Sequence, residues 1–318
     1  MTEPGGDSCV LALDVGATKL AAALVGPSGV ILRSVRTPTP VGAGAVALFD
    51  LVLALLRDVA GYSTVCGIGV GCGGPMVWPA GLVSPLNIPD LRDFPLRAAL
   101  AGVYPGIPVR VHNDAVCVAV AEHWAGAGVG SHNVLGMVVS SGVGGGLVLD
   151  GRLVAGATGN AGHIGHVVVD PAGPPCACGG RGCLESIASG PSLVRWAREQ
   201  GWQPVLGKGE GADARRLAAD AAAGVPVAVA GFARAGSALG VAIASAVALT
   251  DVQIVSIGGG VAQVGPLLFG PLAASYAQHA RLGFAAAPRV VPAAFGQDAG
   301  LVGAAALVLA GSRYWTVD

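Results

Sequence analysis

The sequence predicts an α/β protein built from two similar halves, and three observations carry that expectation. Short apolar strands alternate with apolar stretches at helical spacing. The order strand, glycine-bearing turn, strand opens the chain at Cys9–Val25 and returns at Val134–Leu149, as a duplicated unit would. The chain has 318 residues, and at about 150 residues per domain that is room for two.

The elements follow in order. The run Cys9 to Asp14 (CVLALD) meets a turn, and Lys19 to Val25 and Val30 to Val35 continue as strands, giving an antiparallel meander. Ala45 to Ala60 carries Val46, Phe49, Leu53 and Leu56 at helical spacing, and Val65 to Val70 and Pro108 to His112 read as buried strands. Ala115 to Trp124 reads as a helix. In the second half Val134 to Ser140 is a strand, Gly142 to Gly146 a glycine turn and Leu147 to Leu149 a returning strand. Residues 155 to 183 are rich in Gly and Pro and irregular. Helices follow at about Ser189–Glu199 and Val225–Leu249, then a strand at Gln253–Ile257 that runs into Gly258, Gly259 and Gly260, then another helix. The final helix, Ala299 to Ala310, is expected to pack back on the first half. The resulting division is a first lobe of residues 1–115 completed by 299–318, and a second of 116–298 carrying an irregular segment at 155–187, with a cleft between them.

Composition removes several classes of function. Charged residues make up 12% and hydrophobic ones 53%, which excludes intrinsic disorder. Nucleic acid usually needs a concentrated basic face, and with Lys and Arg totalling 18 against 19 Asp and Glu no nucleic-acid partner is expected. The opening MTEPGGDS lacks the basic and apolar layout of a secretion signal. The uncharged run Ala235 to Thr250 is shorter and less apolar than a bilayer span needs and reads as a buried helix. A cytoplasmic protein without a membrane partner is the expectation. Seven cysteines, three of them crowded between 176 and 183, suit reduced thiols and a metal better than a disulfide framework.

Several motifs can carry chemistry. In Asp14-Val15-Gly16-Ala17-Thr18-Lys19 a carboxylate at a strand end, a tight turn, the Thr18 hydroxyl and the Lys19 ammonium suit a nucleotide phosphate and a magnesium ion. The bland alternative is an ordinary hairpin turn. Lys19 is one of two lysines, the other being Lys208, so a cation here is not background. Ser140-Ser141-Gly142-Val143-Gly144-Gly145-Gly146 is a second candidate anion cradle, and Gly258, Gly259 and Gly260 a third; otherwise they are glycine-rich connections. Gly69-Val70-Gly71-Cys72-Gly73-Gly74 matches G-x-G-x-x-G, but Pro75, Trp78 and Pro79 follow where a helix should open, so no nicotinamide site is expected. Gly74 in that loop can still reach a sugar. His112-Asn113-Asp114 ends a strand and precedes a helix; Asp114 is either a helix cap or a general base toward a substrate hydroxyl that Asn113 orients. His166 with Cys176, Cys178 and Cys183, at gaps of 10, 2 and 5, is a complete Cys₃His set for a closed, structural zinc site, which would also position His163 and Glu185. His123, His132 and His279 read as ordinary histidines, and Cys9, Cys66 and Cys117 as small hydrophobes.

Together these residues resemble the ROK family (repressors, open reading frames, kinases), which is similar in fold to actin and hexokinase. The resemblance runs over essentially the whole chain, from Asp14–Lys19 through Asn87, Asn113-Asp114 and Gly142–Gly146 to Gly162-His163-Ile164-Gly165-His166, the cysteine cluster and Gly182-Cys183-Leu184-Glu185. It implies a two-lobe, actin-like ATPase (ribonuclease H-like) fold with duplicated domains. It also implies transfer of the ATP γ-phosphoryl group to a hexose hydroxyl, typically O6, with ATP, Mg²⁺ and structural Zn²⁺. Asp114 would be the base. Gly74, Asn87, Asn113, His163, His166 and Glu185 would meet the sugar, and Asp14, Gly16, Thr18, Lys19, Ser141, Gly142, Gly144, Gly145, Gly258 and Gly259 the nucleotide. His166 would face zinc through one ring nitrogen and the sugar through the other. A homo-oligomer, dimer or tetramer, is implied by the same resemblance.

Two departures bear on the sugar. Glucokinases of the family usually show Ala-Gly-Glu-x-Gly-His, whereas this chain has Ala161-Gly162-His163-Ile164-Gly165-His166, a string similar to that of bacterial N-acetylmannosamine kinases, as is Asp170-Pro171. Asn87-Ile88-Pro89-Asp90-Leu91 stands where those glucokinases have Asn-Leu-Pro-Gly-Trp, removing a stacking surface. Glucose and N-acetylmannosamine are therefore both expected acceptors. The alternatives are a sugar-responsive repressor, which would carry a helix-turn-helix segment where only 13 residues precede Asp14, and a non-catalytic sugar-binding protein, against which Asp114 and Lys19 argue.

Overall fold

The computed structural model describes residues 9–205 and 211–317. The opening MTEPGGDS and Lys208 lie outside the described residues.

The chain opens with β1 (Cys9–Val15), β2 (Lys19–Val25) and β3 (Ile31–Pro38), then α1 (Ala45–Ala60) and β4 (Val65–Cys72). Three two-residue strands, β5 (Met76–Val77), β6 (Leu82–Val83) and β7 (Phe94–Pro95), form a small separate sheet that the sequence reading did not foresee. Next come α2 (Leu96–Val103), β8 (Val109–Asn113) and α3 (Asp114–Ala125). The later elements are β9 (Val134–Val139), β10 (Val143–Leu149), β11 (Arg152–Leu153), α4 (Glu185–Ala188), α5 (Gly190–Glu199), α6 (Ala214–Ala222) and α7 (Pro226–Thr250). Last are β12 (Ile254–Gly258), α8 (Pro266–His279), β13 (Arg289–Pro292), α9 (Ala299–Leu309) and α10 (Gly311–Tyr314).

The two five-stranded sheets have the same plan. One runs β3-β2-β1-β4-β8 and the other β11-β10-β9-β12-β13. In the first, β1 pairs antiparallel with β2 and parallel with β4, which pairs parallel with β8. In the second, β12 pairs parallel with both β9 and β13. The internal repeat expected from the strand-turn-strand pattern is therefore present at the level of sheet order.

By packing the chain divides into two compact units. The first runs through His132 and adds Gly146–Gly162 and the chain from Ala294; the second is Asn133–Gly145 with His163–Ala293. This differs from a division at 115/116. Helix α3 stays with the first unit because its backbone meets α9 and β10 at contact distance. A Cβ on Gly303 of α9 would stand 1.6 Å from the Cys117 carbonyl oxygen, and one on Gly146 would stand 2.9 Å from the Val116 Cα. Segments this close form one body.

Within the first unit, α1 buries Leu48, Val52, Leu55, Leu56 and Val59, a stripe at helical spacing, while Val46, expected on that stripe, is 76% exposed. The stripe packs with Leu11, Leu13, Leu20 and Leu24 of the hairpin. On the other face, α9 lies so close to β4 that a Cβ on Gly69 would stand 1.8 Å from the Ala304 carbonyl oxygen. That explains one glycine of the G-x-G-x-x-G string: Gly69 lies in a strand and admits a helix backbone, whereas Gly71, in the same strand, faces Asp114 and Cys117 of α3, and Gly74 lies in the loop beyond β4.

Within the second unit, α7 is the only helix among the described residues long and apolar enough to cross a membrane. It is mostly buried, as expected of Ala235–Thr250. Small residues on α7 take α8 at backbone distance, Ser275 Oγ donating to the Ser237 carbonyl at 2.8 Å.

Candidate functional site

In the first unit, β1 delivers Asp14 next to a hairpin turn closed by Gly16 N–H donating to the Lys19 carbonyl at 3.1 Å. Thr39 clamps the turn: its hydroxyl donates to the Gly16 carbonyl at 2.6 Å and its N–H to that of Thr18 at 3.2 Å. Strand register places Arg36, Ala21, Asp14, Gly71 and His112 in one row across the sheet. Small residues flank Asp14 in that row, and Gly300 of α9 lies over its carboxyl group, where a Cβ would stand 3.1 Å from Oδ2. Burial holds that group up to about 6 from an ordinary 3.8; the Asp114 charge adds to the rise, and Lys19 and Arg36 oppose it. Burial likewise pushes up the thiols of Cys72 and Cys117, which feel both aspartates. Asp14, Asp114, Lys19 and Arg36 thus share one electrostatic neighbourhood.

Asp114 is the first residue of α3. The cap of that helix is Asn113, whose Oδ1 accepts the Ala115 N–H at 3.0 Å, while Asp114 Oδ1 accepts the same N–H at 2.8 Å. With Asn113 in the capping role, Asp114 is not required for it. Asn113 is set in turn by its own N–H donating to His112 Nδ1 at 2.8 Å. Gly74 sits against Asn113, a Cβ there being 3.3 Å from Nδ2, and its carbonyl accepts the Leu86 N–H at 3.2 Å. Gly74, Asn113 and Asp114 are therefore brought together, and Asn87 lies exposed just beyond Leu86. Sequence reasoning missed Arg36, which pairs with Asp298 at the start of α9. Exposure alternates only over the last four residues of β3, Val35–Pro38, and only the strand register connects Arg36 to Asp14.

In the second unit, donor atoms of His166, Cys176, Cys178 and Cys183 all lie within 4.8 Å of one another. Cys178 and Cys183 sulfurs are 3.7 Å apart, and Cys176 Sγ is 3.8 Å from His166 Nδ1. Zn–S bonds of about 2.3 Å in a tetrahedron require S···S edges of about 3.75 Å. The four residues therefore fit a closed tetrahedral metal centre with Nδ1 as the histidine ligand. The Gly180 N–H draws the Cys178 thiol below its usual range, and burial pushes Cys183 up to about 12. Turns hold the cluster: Cys176 N–H donates to the Gly180 carbonyl at 2.9 Å, and Gly182 N–H to that of Pro174 at 2.8 Å. His163 stacks on His166, centroids 6.1 Å apart and planes at 18°.

The glycine-rich stretch of this unit needs a correction. Gly144, Gly145 and Gly146 are not a turn but lie inside β10; the turn is Ser140–Gly142, closed by Ser140 N–H donating to the Gly142 carbonyl at 2.8 Å. Gly258 is likewise the buried last residue of β12, and the chain turns at Gly259, with φ of 94°. Ser141, Gly142 and Gly259 thus stand at strand ends, whereas Gly144, Gly145 and Gly258 serve the sheet.

Two duplicated α/β units, each with an acid- or glycine-bearing turn at a strand end, define the actin-like ATPase class. The chain belongs to the ROK family, whose model matches residues 10–310. It is 34% identical over 309 residues to the glucokinase of Thermotoga maritima, covering 94% of this chain and 96% of that one. To the N-acetylmannosamine kinase of Citrobacter koseri it is 37% identical over 305 residues, covering 93% and 97%. The ROK hexokinase of Thermus thermophilus superposes with a TM-score of 0.84 at 35% identity, over 96% and 99% of the two chains. A ROK glucokinase of Streptomyces griseus, solved with glucose and AMPPNP, gives a TM-score of 0.82 at 32% identity, over 95% and 99%.

Proposed function

We propose that this ROK-family sugar kinase transfers the γ-phosphoryl group of ATP to the 6-hydroxyl of a hexose, with N-acetylmannosamine ahead of glucose as acceptor. The observation that carries the reading is the placing of Asp14 and Asp114 on either side of Gly71 in the first unit: Gly71 pairs with Asp14 across β1 and β4, and a Cβ on it would stand 3.4 Å from the Asp114 Cα, next to the Gly16–Lys19 turn. Asp114 takes the hydroxyl proton as the sugar oxygen attacks phosphorus; the new O–P bond forms as the bond to the β,γ-bridging oxygen breaks, and ADP leaves. Asn113 orients the hydroxyl. The backbone of the turn, Thr18 and Lys19 offset phosphate charge, and Asp14 would hold magnesium, which screens the phosphate oxygens when bound. In the second unit, Ser141, Gly142 and Gly259 offer backbone to the nucleotide. Zinc on His166, Cys176, Cys178 and Cys183 would fix a strip with little regular structure, and with it the sugar contacts of His163, His166 and Glu185.

The acetamido sugar is favoured by His163, whose ring lies on that of His166 where glucokinases of the family carry a carboxylate. The likeness to the Citrobacter koseri enzyme supports this choice. Glucose is the second reading, supported by the Thermotoga maritima and Streptomyces griseus relatives. ADP release measured with glucose, mannose, N-acetylglucosamine and N-acetylmannosamine decides between them. The highest kcat/KM is expected for N-acetylmannosamine, and flat rates on all four overturn the kinase reading.

A further inference from the structure

The Glu185 side chain reaches the loop Ser140–Val143. Its Oε2 accepts the Val143 N–H at 2.9 Å, and a Cβ on Gly142 would stand 2.8 Å from that oxygen. Val143 N–H is the first amide beyond the Ser140–Gly142 turn. The rest of the turn is fixed too: Gly190 N–H, at the start of α5, donates to the Ser140 carbonyl at 2.8 Å. Glu185 is itself anchored. It opens α4 two residues after Cys183, and its carbonyl accepts from Ser192 Oγ at 3.0 Å and Ser189 N–H at 3.2 Å. Its neighbour Leu184 donates to the Val167 carbonyl at 2.9 Å. A peg therefore runs from the cysteine segment to the turn, and only glycine at 142 leaves it room.

We propose that Glu185 is a positioning residue that couples sugar occupancy to the nucleotide-binding turn. One carboxyl oxygen holds Val143 N–H while the other accepts a sugar hydroxyl. The identities of the two ligands rest on the kinase reading above. An ionised carboxyl group accepts on both oxygens. A hydroxyl donating to Oε1 removes the side chain's rotational freedom, so Oε2 stays on Val143 and the turn is already ordered when the nucleotide arrives. By linkage the nucleotide then tightens sugar binding by the same factor.

The test measures the Kd of Mg·AMPPNP by calorimetry, with and without the best of the four sugars, in the wild type and in Glu185→Gln, Glu185→Ala and Gly142→Ala. In the wild type, sugar is expected to tighten nucleotide binding about fivefold or more, the lower end of ordinary coupling. In Glu185→Ala the factor falls to one, and nucleotide binding weakens even without sugar. Gly142→Ala, which keeps the carboxyl group but displaces it, gives the same sugar-free loss. Gln, whose amide oxygen can still accept from Val143, restores sugar-free nucleotide binding. Hydrogen exchange of the peptide spanning 138–147 rises in Glu185→Ala while the rest of the chain is unchanged. Unaltered sugar-free nucleotide affinity in both alanine variants, or unaltered exchange of that peptide, overturns the proposal. Because those two arms need no sugar, they stay informative if the four-sugar assay sinks the kinase reading.

Discussion

Replacing Glu122 tests how the first unit is held together. This side chain is fully buried near the end of α3. Oε2 accepts the Ala127 N–H at 2.9 Å and the Ala294 N–H at 3.0 Å, and Oε1 accepts Ala294 N–H at 2.9 Å and Phe295 N–H at 3.1 Å. One carboxyl group thus receives three backbone amides, one from the turn after α3 and two from the segment ahead of α9. In Glu122→Ala those half-buried or exposed donors lose a fully buried partner, at about 1–3 kcal/mol for a donor left without water and less where water reaches the amide. Allowing for relaxation and incomplete additivity, the total is about 3–5 kcal/mol. Glu122→Gln keeps one oxygen and turns an NH₂ group toward the remaining amides, for an expected loss of about 2 kcal/mol. At about 2–4 °C per kcal/mol for a body this size, Tm falls by roughly 6–20 °C in the alanine variant. Thermal and urea unfolding of the three proteins, followed by circular dichroism, measure this. An alanine variant within about 1 kcal/mol of the wild type would refute the reasoning, as would a glutamine variant less stable than alanine.

The remaining predictions concern the site. Asp114→Asn is expected to lower kcat by about 10²–10⁴ with a smaller change in sugar KM, as loss of a general base does; steady-state rates near those of the wild type contradict the role. Cys178→Ser is expected to lose zinc and weaken sugar binding together; stoichiometric zinc by plasma mass spectrometry on that variant rules out the ligand set. Asp14 titrates at about 6 instead of 3.8. A carboxyl group raised by folding contributes stability below its unfolded pKa and loses it as pH rises through the folded value. The difference is worth about 3 kcal/mol at pH 8. In magnesium-free buffer, the Tm of Asp14→Asn relative to the wild type should therefore be higher at pH 8 than at pH 4.5, and a constant difference across that window would count against it.

Which parts of this molecule can be read in its sequence follows from the range over which each signal acts. The Asp14–Lys19 hairpin and the Cys₃His cluster are legible because their partners are sequence neighbours and their residue types are chemically unambiguous. Glycine is ambiguous. The absence of a side chain at Gly142 makes a turn, at Gly144 and Gly145 it serves a strand, and at Gly69 it admits a helix; only the facing element decides. The same limit hides Arg36, whose place in the row of Asp14 is a matter of strand register, and Glu122, two of whose three amide partners are more than 170 residues away. Helix α3 follows β8 directly, so a boundary between them looked natural, yet backbone contact with α9 fixes its membership.

Helix α9 is buried along nearly its whole length and closes over β1 and β4, strands that leave the ribosome more than two hundred residues earlier. At about 5–20 residues per second, that interval is roughly 10–45 s. Throughout it the glycine-lined face of β4 waits without its cover, while every strand and helix of the second unit is synthesised and free to fold. The molecule is thus assembled from the inside of its chain outward, and the nascent first unit, more than the finished one, is where a chaperone would be needed.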